Sequence, residues 1–178
     1  MITKILDNKE ITIRQLSKSD LEKVEQLRDF INSFVDEDAQ IIINEKISLK
    51  GEEKWLRDKL EYIKKKKAVF LVAEHNGAII GTTGIDSRIW RQSHIGEFGI
   101  TIKKGYRGIG LGTLLMKEII KLAKRELKPK PKILRLTVFP TNKAAMNLYK
   151  KLGFRIVAKV PRQIQYKGRL ISEVIMLL

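Results

Sequence analysis

The sequence predicts a mixed α/β domain, one sheet of six to seven strands with about four helices on its faces. Three observations point there. Apolar stretches with the two-residue period of strands occur both back to back and in alternation with segments of helical period. Asn76-Gly77 joins two such stretches, the strongest short hairpin signal. The chain has 178 residues, 43% apolar and 31% charged, the size and composition of a single globular domain, taken here as residues 1–178.

In order along the chain, residues 11–15 (Ile-Thr-Ile-Arg-Gln) alternate like a strand. Ser17 or Ser19 with Asp20 then opens an amphipathic helix carrying Leu21, Val24, Leu27, Phe30, Ile31 and Phe34. Asp36-Glu37-Asp38 interrupts it. A second helix is expected over residues 52–66, with Trp55, Leu56, Leu60 and Ile63 inward and a lysine run at its end, where cations suit the helix dipole. Strands follow at 69–74 and 78–85, then 95–102. A long helix covers 110–127, and Lys128-Pro129-Lys130-Pro131 breaks it. A strand at 133–138, a helix over 142–152 closed by Gly153, and two last strands near 154–162 and 170–177 complete the pattern. No internal repeat or linker interrupts it.

Composition excludes several chemistries. There is no cysteine, hence no disulfide, thiolate nucleophile or iron–sulfur cluster. His75 and His94 are the only histidines, so a metal cage is not expected. No apolar run approaches the roughly 20 residues of a membrane span, and Met1–Asp7 lacks a signal-peptide core, so a cytoplasmic protein is expected. The net charge of +16 is unevenly placed. Residues 1–102 hold 17 basic and 17 acidic side chains, whereas residues 103–178 hold 19 basic ones against Glu118, Glu126 and Glu173. Such a field concentrates an anionic partner: a phosphorylated cofactor, a nucleic acid or an acidic membrane surface. A merely solubilising lysine-rich surface reads the same way.

The informative segment is Ile100-Thr101-Ile102-Lys103-Lys104-Gly105-Tyr106-Arg107-Gly108-Ile109-Gly110-Leu111-Gly112-Thr113. A strand runs into a glycine turn that opens a helix, a place where backbone N–H groups and the helix dipole hold an anion. The P-loop pattern is excluded, because no lysine precedes Thr113, and the glycine spacing is not that of the dinucleotide fingerprint.

Arg107-x-x-Gly110-x-Gly112 at this junction resembles the pyrophosphate loop of the GNAT family of acetyl-CoA-dependent N-acetyltransferases. About 30 residues on, Leu136-Thr137-Val138-Phe139-Pro140-Thr141-Asn142, then Tyr149 and Gly153-Phe154, resemble the family's second signature. The resemblance spans essentially the whole chain. It implies a mostly antiparallel sheet and acetyl-CoA as acetyl donor, without a metal. It further implies that Ile100, Thr101 and Ile102 line the pantetheine arm and that the amides from Arg107 through Gly108, Ile109, Gly110, Leu111 and Gly112 to Thr113 hold the pyrophosphate. Asn142 matches a cofactor contact, although it could equally be the N-cap of its helix. Tyr149 matches the general acid for the departing thiolate; a core-packed tyrosine is the alternative. Asn142 and Tyr149 share a helix face.

The general base is less directly indicated. Relatives acting on ribosomal-protein alanine keep a Glu where this chain has Thr137, which cannot take a proton. Glu97, on the strand into the turn, and His94 are the candidates; Glu97 could instead pair with Arg88 or Arg91. The acceptor is expected to be a primary amine: a protein N-terminus, lysine, polyamine or small amine. Asp36, Glu37, Asp38 and Glu45, with Glu52 and Glu53 nearby, could form an acidic rim for it, or simply solubilise a loop and charge the first turn of the second helix. Residues 40–43 could line an acceptor pocket or a homodimer contact. Two other classes stay open: a basic nucleic-acid or ribosome-binding module, and an acyl-CoA-binding regulator without turnover.

Overall fold

The computed structural model describes residues 1–178. Eight strands form one sheet: β1 (Ile2–Leu6), β2 (Lys9–Gln15), β3 (Ala68–His75), β4 (Ala78–Ser87), β5 (Ile95–Ile102), β6 (Ile133–Val138), β7 (Arg155–Tyr166) and β8 (Arg169–Leu177). Their spatial order is β1-β2-β3-β4-β5-β6-β8-β7. Every pair is antiparallel except β5 and β6. Four helices complete the fold: α1 (Val24–Asp36), α2 (Leu49–Lys64), α3 (Leu111–Glu126) and α4 (Lys143–Lys151). No helix is long and apolar enough to cross a membrane.

The sheet has a core on each face. Leu111, Leu115, Met116 and Ile119 of α3 join Ile85, Phe98, Leu134 and Leu136 in the larger one, with Tyr149 of α4. Leu27, Phe30 and Phe34 of α1 and Leu56 of α2 form the smaller one with Val72 and Ile79. Alternation along β5 therefore sends Phe98 toward α3 and α4, and Glu97, Gly99 and Thr101 toward α1 and α2. Thr101 confirms its side by sharing a 2.8 Å hydroxyl contact with Thr82.

Seven strands and four helices agree with the expectation; β1 is the addition. Its residues are exposed at three of five positions, so it carries no apolar alternation, and it is recruited as an edge by pairing with β2. A short 3-10 helix, Lys18–Lys23, precedes α1 where one continuous helix was expected. β7 runs on through Pro161, which is tolerated because β7 is the outer strand and slips register between Val160 and Ile164.

A polar tie holds the 3-10 helix before α1 to the sheet. Arg14 on β2 reaches both oxygens of buried Asp20, at 2.6 and 2.9 Å, and both oxygens of Glu74 on β3. Burial alone would raise the Asp20 carboxyl, but its hydrogen bonds from Arg14 and Ser17 outweigh it and hold the pKa below the usual value. Glu74 is likewise lowered, chiefly by its hydrogen bond from Arg14. Both pairings are thus present above the ordinary carboxylate pKa and are lost as pH falls through the depressed folded values. Replacing Arg14 by Met is expected to destabilise the fold by about 3 kcal/mol at pH 7 and by less below pH 4, read by urea denaturation at the two pH values.

Candidate active site

The site is built where β5 and β6 part. They pair only at Ile95–Ile133, Gly96–Leu134 and Glu97–Arg135, although β6 continues to Val138 and β5 to Ile102. The carbonyl of His94 accepts from Lys132 and Ile133, while the carbonyl of Ile95 accepts from Arg88 at the end of β4. Even-numbered residues of β5 therefore direct their backbone groups toward β6. Past the last pair, the backbones of Ile100 and Ile102 face a gap with no strand in it. The Ile102 carbonyl accepts a 2.7 Å bond from Arg107 Nε, while Ile100 has no partner on that side.

Beyond Ile102 the turn adds further unmet donors. Gly110 is the N-cap of α3 at φ 90°, a left-handed conformation that favours glycine, and being glycine it has no side chain to cap the helix. The amides of Arg107, Gly108, Ile109, Gly110, Leu111, Gly112 and Thr113 find no acceptor in the chain; the first bond of α3 is Leu114 N–H to the Gly110 carbonyl. A side chain on Gly112 would meet Leu148 Cδ2 at 2.8 Å, so this glycine lets α3 and α4 approach. Seven outward amides and a helix N-terminus fit a diphosphate, and Lys103 and Lys104 stand exposed beside them.

Asn142 caps α4, accepting from Ala145 N–H at 3.1 Å, so the capping alternative holds whatever else the side chain does. Seven residues on, Tyr149 is 7% exposed, with its ring edge-on to Phe98 at 6.2 Å and tilted against Phe154 at 6.0 Å. Phe98 is the first β5 residue past the last β5–β6 pair, which puts Tyr149 at the gap on its α3–α4 side. Its hydroxyl makes no hydrogen bond, yet no fully buried polar side-chain atom lacks a partner, so the hydroxyl keeps an opening. Burial pushes this phenol up to about 12, and it stays protonated throughout the neutral range.

The expected base candidates fare differently. Glu97 Oε1 receives Arg88 Nε at 2.5 Å and Arg135 at 2.8 Å, so the ion-pair alternative is realised with Arg135 in place of Arg91. His94 precedes β5, six residues before Ile100 and about 20 Å away along the strand, which removes it from the gap. Three of the rim carboxylates are paired, Asp36 with Lys46, Glu37 with Arg107 and Asp38 with Lys167, while Glu45 forms no ion pair. The Arg107 guanidinium is thereby drawn to α1, over the ring of Phe34, and leaves the anion site to backbone amides.

Residues 40–43 lie where an acceptor pocket was anticipated. Phe34, Ile41, Ile42, Phe139, Ile164 and Tyr166, with Asp38, Asn44, Gln163 and Gln165, line a cleft of about 220 Å³ between the end of α1 and β7, with more polar than apolar surface facing the space. Nearby, Gln40 donates to Thr141 Oγ1 at 2.6 Å, one residue before Asn142. Glu52, expected near the acidic rim or as a charge in the first turn of the second helix, turns inward instead. It is 6% exposed, forms no ion pair, and burial alone pushes its carboxyl up to about 7. Its position one turn before Leu56 on the inward stripe of α2 was the available signal.

Comparison with known proteins then decides the family. The family model described as "Acetyltransferase (GNAT) family" matches residues 27–154. The chain belongs to the GNAT acetyltransferase family. Family membership and fold make it an acyltransferase. It is 35% identical over 120 residues to an N-alpha-acetyltransferase of Sulfurisphaera tokodaii, covering 61% of this chain and 69% of that one. It is 36% identical over 87 residues to the L-amino acid N-acetyltransferase AaaT of Escherichia coli, covering 48% and 52%. Among solved structures, a GNAT acetyltransferase from Streptococcus pneumoniae superposes with TM-score 0.81 and 28% identity over 94% of this chain and 98% of that one. A phosphinothricin acetyltransferase from Sinorhizobium meliloti, solved in complex with acetyl-CoA, shares the fold at TM-score 0.76 and 17% identity, over 94% and 87%.

The Glu52 carboxyl gives a stability prediction for this GNAT domain. Its folded pKa lies above the unfolded value, so its ionisation works against the fold as pH rises from about 4.5 to 7. Glu52→Gln is expected to raise stability at pH 8 by up to about 3 kcal/mol and to change it little at pH 4, by urea denaturation.

Proposed function

We propose that this protein transfers the acetyl group of acetyl-CoA to the α-amine of an amino acid or of a polypeptide N-terminus. The observation that carries the reading is the run of seven unpartnered amides opening onto the gap between β5 and β6. Two relatives bear the names N-alpha-acetyltransferase and L-amino acid N-acetyltransferase, both α-amine chemistries. The pairing of Asp36, Glu37 and Asp38 with cations argues against a polyamine.

Acetyl-CoA supplies an activated thioester carbonyl and a thiol leaving group. In this reading the amides of Arg107–Thr113 and the start of α3 hold its diphosphate, and the free backbone of Ile100 with the Ile102 N–H pairs with its arm as a strand would. Thr101 and Asn142 border the arm. The Ile100 N–H is placed to polarise the carbonyl oxygen. Attack by the amine forms the C–N bond as the C–S bond breaks. Tyr149 donates a hydrogen bond to the sulfur. Complete proton transfer from a phenol near 12 to a thiolate of parent pKa about 8.5 is uphill, so the hydrogen bond stabilises the departing charge while the proton shed by the new amide nitrogen balances it. Glu97, locked by two arginines, holds the β5–β6 junction below the gap.

Gly110→Asp places negative charge among the amides; calorimetry should show acetyl-CoA affinity falling at least about 100-fold with the fold intact by thermal melting, and near-normal binding would overturn the assignment. Tyr149→Phe should lower kcat by about 10² while leaving acetyl-CoA affinity within about twofold, measured by thiol release with a panel of L-amino acids; unchanged kcat would remove Tyr149 from the reaction.

A further inference from the structure

On the α1–α2 face of the sheet, opposite Tyr149, one carboxylate is buried without any partner. Glu52 lies on the inward stripe of α2 that continues through Leu56, Lys59 and Ile63. Lys59 reaches Asp86 at 2.6 Å, and Trp55 packs edge-on to Phe70 at 5.4 Å. Across the sheet, Asp86 is level with Glu97, Phe70 with Gly84, and Gly84 with Gly99. Going one turn further toward the start of α2 therefore carries Glu52 past Gly99 toward the level of Thr82 and Thr101.

Gly99 is exposed although it lies in a central strand, and a Cβ there would have nothing within 4 Å. The α1–α2 face is thus open at that point, beside the gap where β5 leaves β6. Glu52 makes no hydrogen bond through its side chain, and no fully buried polar side-chain atom in the chain lacks a partner. Its carboxylate is therefore not sealed in but keeps contact with an opening. A carboxylate held among apolar residues without a counter-ion is disfavoured unless something arrives to meet it.

We infer that Glu52 is the catalytic proton acceptor, taking one proton from the acceptor's ammonium group as it enters over Gly99 and releasing the neutral amine to attack the thioester. This rests on the acetyltransferase reading above and moves the base from Glu97 to the opposite wall of the opening. The proton balance closes. One proton passes from the ammonium to a Glu52 oxygen, the second leaves nitrogen as the amide forms and ends on sulfur, and Glu52 later returns its own to water. The charged groups on the surrounding elements are committed elsewhere. Arg14 and Lys23 pair with Asp20 and Glu74, Arg28 with Asp29, Glu37 with Arg107, Lys59 with Asp86, and Glu97 with Arg88 and Arg135. His75 faces the Glu10 carbonyl, and Glu25 is exposed on α1. The incoming ammonium is left as the natural counter-ion of Glu52.

The test uses the full chain, acetyl-CoA, and L-amino acids and short peptides with free N-termini as probes. Wild-type kcat/KM should fall below about pH 7 with a single-proton limb. Glu52→Gln should lower kcat by about 100-fold or more, abolish that limb and leave acetyl-CoA affinity within about twofold by calorimetry. Independently of activity, carbon-13 NMR of glutamate-labelled protein should show one carboxyl titrating near neutrality, and that signal should be missing in Glu52→Gln. Glu52→Asp, which keeps the charge but retracts it by one methylene, should retain the limb at reduced kcat and serves if Glu52→Gln does not fold. An active wild type whose Glu52→Gln variant keeps full kcat and the same limb overturns the inference alone, as does a Glu52 carboxyl titrating at the ordinary value. A wild type that acetylates none of the probes overturns the functional reading, and this inference with it.

Discussion

The parting of β5 from β6 after Glu97 is the feature on which everything else turns. Parallel strands in a sheet interior normally stay paired, because each abandoned rung leaves a buried donor and acceptor unmet. Here the ladder lasts three residues and then opens, although both strands run on. Two forces hold the junction. Glu97 is clamped by Arg88 from the end of β4 and Arg135 from β6, tying three adjacent segments at the last rung. Above it, Phe98 packs with Tyr149 and Phe154 on the α3–α4 face of the sheet. The gap is thus stabilised on both sides of its apex rather than being a defect in the sheet.

The same logic extends to the turn. A helix start ordinarily recruits Ser, Asp or Asn to meet its first amides, as Ser48 does for α2 and Asn142 for α4. α3 begins at a glycine in a left-handed conformation and recruits nothing. Arg107 is drawn away to Glu37, while Lys103 and Lys104 stay exposed beside the turn. What the turn offers an anion is therefore mainly backbone, set in the basic surface of the C-terminal half.

Much of this was legible in the chain because its signals are local. The β3–β4 hairpin follows from Asn76-Gly77, β5 was anticipated with its observed bounds, and the uncapped turn is visible as glycines where a capping residue would stand. What escaped depends on long-range geometry. β1 has no apolar face to announce it and exists only because β2 offers an edge. Asp36, Glu37 and Asp38 look like an acidic rim until the fold brings Lys46, Arg107 and Lys167 to them from up to 129 positions away along the sequence. Glu52 has two readings in the sequence, part of an acidic rim or a favourable charge at a helix start; that its side chain is an inward one emerges only once the stripe with Leu56 and Ile63 is seen against the sheet.

Desolvation acts on the two sides of the gap with one sign and two consequences. Both Tyr149 and Glu52 are shifted upward chiefly because burial disfavours their charged forms. For a phenol that ordinarily ionises near 10, the shift removes any ionisation at neutral pH and leaves a dependable hydrogen-bond donor. For a carboxyl that ordinarily ionises near 4.5, the same environment brings proton exchange into the neutral range, where an amine can be relieved of its proton and the group can recover. A donor on the α3–α4 face and an acceptor on the α1–α2 face, separated by an open strand edge, need no charged partner for tuning. Packing alone poises them, and a substitution that let water into one face would return the group on that face toward its ordinary behaviour.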